Sequence, residues 1–275
     1  MFVSAVDHAA EKLAFDRAAG LYEKALQLFT ENKSEDHPHL RTLLLNLGDA
    51  LASAGRGKES ARALLQAVRG ARAAEKLEIK RRVAEQLMYC GFIDDGLKVL
   101  DEVLRSIGER LPRTAVGRIL GIVWQRLLLR IRGISYRERD ETQIPRVDLV
   151  HTDILRSLTM GVGGANVLLA SYACVRLLRQ ALRIGETGRI FFGLCMEANL
   201  VSANNPKSTY LRKLLTECEK IQTHWKGPRL PYIETAHSLA CYMCRACGAN
   251  QKNIRKLLCA LLTSMVDVLG TWHDE

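Results

Sequence analysis

The chain has 275 residues, of which 48% are apolar and 25% charged, a balance typical of globular domains with a sizeable core and not of disordered or fibrous chains. Forty basic residues against 30 acidic ones give a net charge of +10, which suits nucleic acid, acidic lipid or an acidic protein partner. Only 6 prolines and few β-branched runs favour helix almost throughout. No secretory leader pattern opens the chain, and most of the 8 cysteines fall in helix-patterned segments, so we predict a cytoplasmic protein with reduced thiols.

A repeat occupies the first part of the chain. Gly55 and Ser60 recur 36 residues later as Gly91 and Gly96, and Ala18 matches Ser60 at an offset of 42. Two antiparallel helices cross closely only where one side chain is small, and a glycine after a helix allows a left-handed end. Each repeat is therefore predicted to be a helical hairpin.

The pattern resembles the tetratricopeptide repeat. Its signature positions are held by Asn46, Leu47, Gly48, Leu51, Gly55, Ser60, Leu64 and Ala67. The first and third repeats are degenerate, and in the third repeat Ala84 replaces the glycine at the helix crossing. The resemblance implies an all-α fold, an α-solenoid of stacked antiparallel helical hairpins with a concave face, in which residues 1–108 form the first tetratricopeptide-like repeats.

No motif in the chain predicts catalysis. Gly57 and Lys58 look at first like a phosphate-binding loop, but Ala52 and Glu59 stand where such a loop needs glycine and Ser or Thr. The sequence RERD at 137–140 lacks the His and the Asn of a kinase catalytic loop. We predict no catalytic residue, no cofactor and no enzymatic activity, with Gly57 and Lys58 at a hairpin corner.

Residues 109–147 are predicted to form an arginine-rich amphipathic helix, from Pro112 to about Arg132, followed by a polar connector. The preferred interpretation is that its arginines face solvent or pair with nearby acids. Those acids are Glu138, Asp140 and Glu141. Two alternatives remain open for residues 113–139: an anionic membrane surface with Trp124 inserted, or the phosphates of a nucleic acid.

Residues 148–275 are predicted to form further helical hairpins. Apolar spacing predicts helices near 148–160, 165–185, 188–203, 206–224, 230–248 and 251–270. Cys241, Cys244 and Cys247 follow His237 on one predicted helix. The ends of that set lie about 15 Å apart, too far for one metal ion, so we predict no metal site.

A wider resemblance rests on several stretches in order. They include AAEKLAFDRAAGLYEKALQL (9–28), RRVAEQLMYCGFIDDGLKVLDEVL (81–104), RLLLRIRGISYRERDETQIP (126–145) and LRQALRIGETGRI (178–190). They are similar to the helical-repeat region of large planctomycete and myxobacterial signalling proteins, in which a serine/threonine kinase domain and an ATPase module precede the repeats. The resemblance implies a fragment, a split gene product or a separate reading frame, which would carry a kinase's name only by inheritance.

The predicted function is a non-catalytic protein–protein interaction scaffold. The resemblance implies an upstream kinase or ATPase module as one partner, and the arginine excess favours an acidic peptide as another. The candidate contact residues are Asn46 and Asp49 on a first helix, and Arg126, Arg130 and Arg132 in the arginine-rich segment.

Overall fold

The computed structural model describes residues 2–31, 38–163, 165–205 and 207–224. Within these ranges every regular element is helical, so the described part has the predicted all-α class. The α-helices are α1 (Phe2–Glu31), α2 (Pro38–Ser53), α3 (Gly57–Ala67), α4 (Ala73–Tyr89), α5 (Ile93–Ser106), α6 (Ala115–Arg132), α7 (Arg146–Val162), α8 (Val167–Ile184), α9 (Thr187–Asn204) and α10 (Thr209–His224), with a short 3₁₀ helix at Glu141–Gln143. The helices predicted at 230–248 and 251–270 lie outside the described residues.

The chain divides into two units. The first contains Met1–Leu111 together with Ser157–Val167, and the second contains Pro112–Arg156 together with Leu168–Glu275. In the first unit, helices α1 to α5 each pack against the next helix along the chain. Leu44, Leu64 and Val83 join α2, α3 and α4 in one buried cluster.

Two corners in the first unit have the same backbone geometry. Gly55 follows α2 at φ +78° and Gly91 follows α4 at φ +85°, in the left-handed region that glycine adopts without steric cost. After each glycine, the next amide donates to the carbonyl five residues back, at 2.8 Å in the first corner and 2.9 Å in the second. The 36-residue repeat in the sequence is therefore also a repeat in backbone conformation.

The first corner does not have the form of a phosphate-binding loop. Gly57 is the first residue of α3, which follows the helix α2 and not a strand. A Cβ at Gly57 would lie 2.5 Å from the Sγ of Cys90. Lys58 lies over the ring of Phe92, with its Nζ 4.7 Å from the centroid, a cation–π contact to the second corner.

The predicted small residues stand where helix backbones meet. Ser60 on α3 is fully buried, and its hydroxyl donates to the Gly48 carbonyl of α2 at 2.6 Å. A Cβ at Gly96 on α5 would lie 2.8 Å from the Ala84 carbonyl oxygen of α4. Ser60 and Gly96 are 36 residues apart, as are Gly48 and Ala84, so both hairpins cross in the same register. In the first repeat the fully buried small residue is Ala19, next to the predicted Ala18.

A buried arginine joins the end of α7 to α4 within the first unit. Arg81 is only 7% exposed and pairs with Glu78 and Glu85 on its own helix. It also donates to the Ser157 hydroxyl at 2.9 Å, and that hydroxyl donates to Glu85. Burying a guanidinium is tolerable because the charge is paired and its donors are used.

The core of the second unit lies among α6, α8, α9 and α10. Leu129, Leu178, Leu194 and Leu214 represent these four helices in one buried cluster. The helices α8 and α9 approach closely, since a Cβ at Gly193 would lie 3.1 Å from the Cα of Leu178.

The helix α6 begins three residues later than predicted. Thr114 is its N-cap, so Pro112 lies before the helix and does not open it, and the Thr114 hydroxyl accepts from the Gly117 amide at 3.1 Å. It ends at Arg132 as predicted, and Gly133 follows with φ +76°.

The connector that follows α6 is hydrogen-bonded to the corner between α8 and α9. The Arg139 amide donates to the Gly185 carbonyl at 2.9 Å, and Thr187 donates to Glu138 at 2.7 Å. Arg189 on α9 lies 3.2 Å from Glu141 and 2.7 Å from Asp153. Glu138 and Glu141 therefore bind α9 residues, and Asp140 accepts from Thr142 within the connector, whereas we expected these acids to be available to the arginines of α6.

Replacing Gly96 with alanine should lower the free energy of unfolding by about 1–3 kcal/mol, because the new methyl would meet a helix backbone that cannot move independently. Its Cβ would lie 2.5 Å from Met88 Cγ and 2.8 Å from the Ala84 carbonyl oxygen. Urea denaturation followed by circular dichroism measures the change. Gly20→Ala on α1 is the matched control, since nothing lies within 4 Å of its Cβ position, and it should be neutral or stabilising by about 0.5–1 kcal/mol. Equal effects in the two variants would contradict the close crossing.

Candidate functional site

The two first-helix candidates lie on α2 in the first unit. Asn46 is half-buried and Asp49 is exposed. Asp49 forms an ion pair with Arg82 on α4, which is the first helix of the next hairpin. The structure thus places an acid and a base on equivalent helices of successive hairpins, with Asn46 one turn before the acid.

The three candidate arginines of α6 have different surroundings. The Arg126 Nε points into the second unit and lies 3.4 Å from Glu197 Oε1. Arg132 donates to the Leu182 carbonyl at 2.9 Å and to the Ser135 carbonyl at 3.1 Å. Arg130 is exposed. The structure therefore does not bring the three guanidinium groups together on one surface.

A continuous apolar surface runs along the outside of α6, and we call it the α6 stripe. Its side chains are half to three quarters exposed: Val116 66%, Ile119 48%, Leu120 64%, Val123 61%, Trp124 57%, Leu127 47% and Ile131 75%. The opposite side of α6 packs inward, where Leu129 is 2% exposed. Soluble proteins rarely expose a contiguous apolar patch of more than a few hundred Å², and larger patches mark sites of interaction with proteins or membranes.

A buried polar cluster lies between α6, α8, α9 and α10. Glu197 is fully buried, and its Oε2 lies 4.0 Å from the Sγ of Cys174. The Arg126 Nε, the Glu197 Oε1 and the Tyr210 hydroxyl are buried and make no hydrogen bond of acceptable geometry. The contact between Arg126 and Glu197 is therefore an ion pair and not a well-formed hydrogen bond.

Burial is the main cause of the pKa shifts in this cluster. It raises the pKa of Glu197 to about 7, although the positive charge of Arg126 opposes the shift. Burial also raises the pKa of the Cys174 thiol, and the negative charge of Glu197 adds to that effect. The same two causes raise the pKa of the Tyr210 phenol. A protonated thiol with no exposed surface is a poor nucleophile, so the cluster favours a structural, proton-linked role.

The cysteines of the described residues are free thiols, with Cys90 exposed and Cys174, Cys195 and Cys218 buried. Within these residues no group of three His, Cys, Asp or Glu side chains could hold a metal ion. The predictions about His237 and about Cys241, Cys244 and Cys247 lie outside the described part of the chain.

Sequence reasoning missed Glu197, and it considered the apolar side of α6 only as a membrane-binding alternative with Trp124 inserted. Glu197 is the one charged residue between Ile190 and Val201, a signal that could have marked a buried charge. The full extent of the stripe could not have been read from the sequence, because α6 has apolar residues on nearly every side.

Scans of protein-family models, of curated proteins and of solved structures each found no match to this chain. Among the helices that the structure describes, none combines the length and low charge needed to cross a bilayer.

Replacing Glu197 with glutamine should flatten the dependence of stability on pH. The folded-state pKa of about 7 lies above the unfolded value of about 4.3, so the folded state holds the proton more tightly. The resulting stability is fully present below about pH 4.3 and is lost as pH rises through 7, with a total of about 4 kcal/mol. Urea denaturation between pH 4.5 and 8 should show this fall in the wild type and a shallower one in Glu197→Gln. Glu219→Gln, at an exposed position, serves as control. If the dependence of the unfolding free energy on pH were the same in Glu197→Gln as in the wild type, the raised pKa of Glu197 would be refuted.

Proposed function

We propose that the chain is a non-catalytic, tetratricopeptide-like scaffold that binds a segment of another protein. The observation that supports this proposal is the repeated hairpin: the same left-handed corner and the same helix crossing recur 36 residues apart at Gly55 and Gly91 and at Ser60 and Gly96. Repeated hairpins stack into a solenoid whose first helices line a concave surface suited to an extended or helical peptide.

An acidic peptide is the partner that fits the charge of the chain. The +10 net charge speeds encounter with an acidic segment. On α2 and α4, Asn46 would supply an amide for hydrogen bonding and Arg82 a cation, which Asp49 neutralises in the unbound protein.

The resemblance to repeat regions of bacterial kinase–ATPase proteins suggests where the scaffold works. An upstream kinase or ATPase module would then be the second partner, in a cytoplasmic signalling assembly. The polyanion alternative through residues 113–139 gains no support from α6, since Arg126 contacts Glu197 and Arg132 contacts backbone carbonyls.

Binding of a Glu-rich amphipathic peptide, measured by fluorescence anisotropy, tests the proposal. The peptide should bind more tightly than an otherwise identical peptide with Gln in place of Glu. Asn46→Ala should weaken binding about tenfold, the effect of one lost hydrogen bond. Asp49→Asn should strengthen it, because the variant releases Arg82 and removes a repulsive charge.

The matched control for Asn46→Ala is Gln66→Ala, an exposed polar residue on the second helix α3, which should leave the affinity unchanged. Equal binding of the Glu and Gln peptides, or an equal loss in Gln66→Ala, would refute the proposed surface.

The purified chain should show no saturable binding of ATP with Mg²⁺ in isothermal titration calorimetry. The reason is that Gly57 and Lys58 belong to a helix corner in which Lys58 contacts Phe92. Saturable binding that Lys58→Gln abolishes would instead support a nucleotide site and an enzymatic role.

A further inference from the structure

We propose that the α6 stripe is the interface of a homodimer, in which α6 of one copy lies antiparallel to α6 of a second copy. This inference rests on the stripe and does not depend on the peptide-binding proposal. In such a dimer both faces of α6 are covered, the inner face by α8 of the same copy and the outer face by α6 of the second copy. On the inner face a Cβ at Gly121 would lie 2.8 Å from the Tyr172 ring of α8, while the outer face carries the stripe.

The stripe is large enough to support a stable pair. Its seven members lie within the 16 residues 116–131, about 22 Å along a helix axis. With their exposed fractions of 47% to 75%, they present on the order of 700 Å². A standard protein interface buries about 800 Å² on each partner, so a helix pair with modest additional contacts reaches that size.

The spacing of the stripe is symmetric along the helix. Six of its members follow one another at intervals of 4, 3, 1, 3 and 4 residues, at positions 116, 120, 123, 124, 127 and 131. A two-fold axis between Val123 and Trp124 therefore places an apolar residue opposite an apolar residue at each of these positions. Val116 would face Ile131 of the second copy, and Leu120 would face Leu127. A two-fold interface uses the same surface on both copies, so it requires this kind of self-complementarity.

The charges on α6 favour the antiparallel direction. Residues 115–132 contain four arginines and no acidic residue, so α6 offers no anion to a second α6. Arg130 is exposed beside the stripe, and in the antiparallel pair it would lie opposite Gly117 of the second copy. The two Arg130 groups would then be about 20 Å apart along the axis, well beyond the screening length of about 8 Å. A parallel pair would set them side by side.

The contacts of the α6 arginines argue against an anionic membrane as the partner that covers the α6 stripe. A membrane-bound amphipathic helix needs cations along the edges of its apolar face. On α6, Arg126 turns inward to Glu197, while Arg118 and Arg132 donate to backbone carbonyls. Arg130 and Arg132 are exposed, but Arg132 is bound to backbone carbonyls, so the stripe lacks a row of cations along its edges.

A pair of complementary charge variants tests both the dimer and its direction. Sedimentation velocity of the wild type at 50 μM should show twice the mass of one chain. Leu120→Glu alone and Leu127→Lys alone should each give the mass of one chain, with the dissociation constant raised at least 100-fold. Mixing the two variants should restore a dimer, because the antiparallel pair sets position 120 of one copy against position 127 of the other.

The matched control is Leu21→Glu on α1, where the leucine is 68% exposed against 64% for Leu120. It should leave the mass of the dimer unchanged, and circular dichroism should show native helix content in all variants. Binding of the Glu-rich peptide should persist in Leu120→Glu, which separates this test from that of the proposed function.

Four results would overturn the proposal. They are a wild type with the mass of one chain at 50 μM, loss of the dimer in Leu21→Glu, no dimer when the two charge variants are mixed, and a monomer that binds vesicles of phosphatidylserine through the stripe. The last result would assign the stripe to a membrane surface.

Discussion

Close approach of helix backbones, at positions where a side chain is small or missing, is the constraint on which this structure depends. In the first unit Gly96 lies against the Ala84 carbonyl, and in the second Gly193 lies against the Cα of Leu178. Helices at this distance gain dense packing along their backbones but leave no room for a methyl group. Gly121 makes a comparable approach to Tyr172, which fixes the inward face of α6 and so determines which of its apolar residues remain in solvent.

Three arginines of the described residues have an internal use. Arg81 is buried among two glutamates and a serine, Arg126 reaches Glu197, and Arg189 joins Glu141, Asp153 and its own N-cap residue Glu186. A planar guanidinium with five donors can satisfy several acceptors from different helices at once. Composition alone suggests a polyanion-binding chain, but these contacts show that part of the positive charge stabilises the fold.

The two surfaces for which we propose a role in recognition differ in character. The first-helix surface of α2 and α4 is polar, with an ion pair between Asp49 and Arg82, and suits a charged peptide. The α6 stripe is apolar and self-complementary, and suits a second copy of the chain. Burial raises the pKa of Glu197 to about 7, so we expect its ionisation to link the stability of the fold to pH near neutrality. The kinase–ATPase context stays a prediction that rests on sequence resemblance.

Local features of the sequence determined the helices and their ends. Apolar spacing predicted α7 to α10 to within about three residues, and Gly55, Gly91 and Gly133 marked corners because only glycine adopts their positive φ without cost. The crossing at Ser60 and Gly96 was also readable, since small residues recur at one interval. The tertiary structure alone decided the direction of Arg126 and the burial of Glu197. It alone decided which face of α6 is exposed, because a helix that is apolar on nearly every side has no preferred face until neighbouring helices cover one of them.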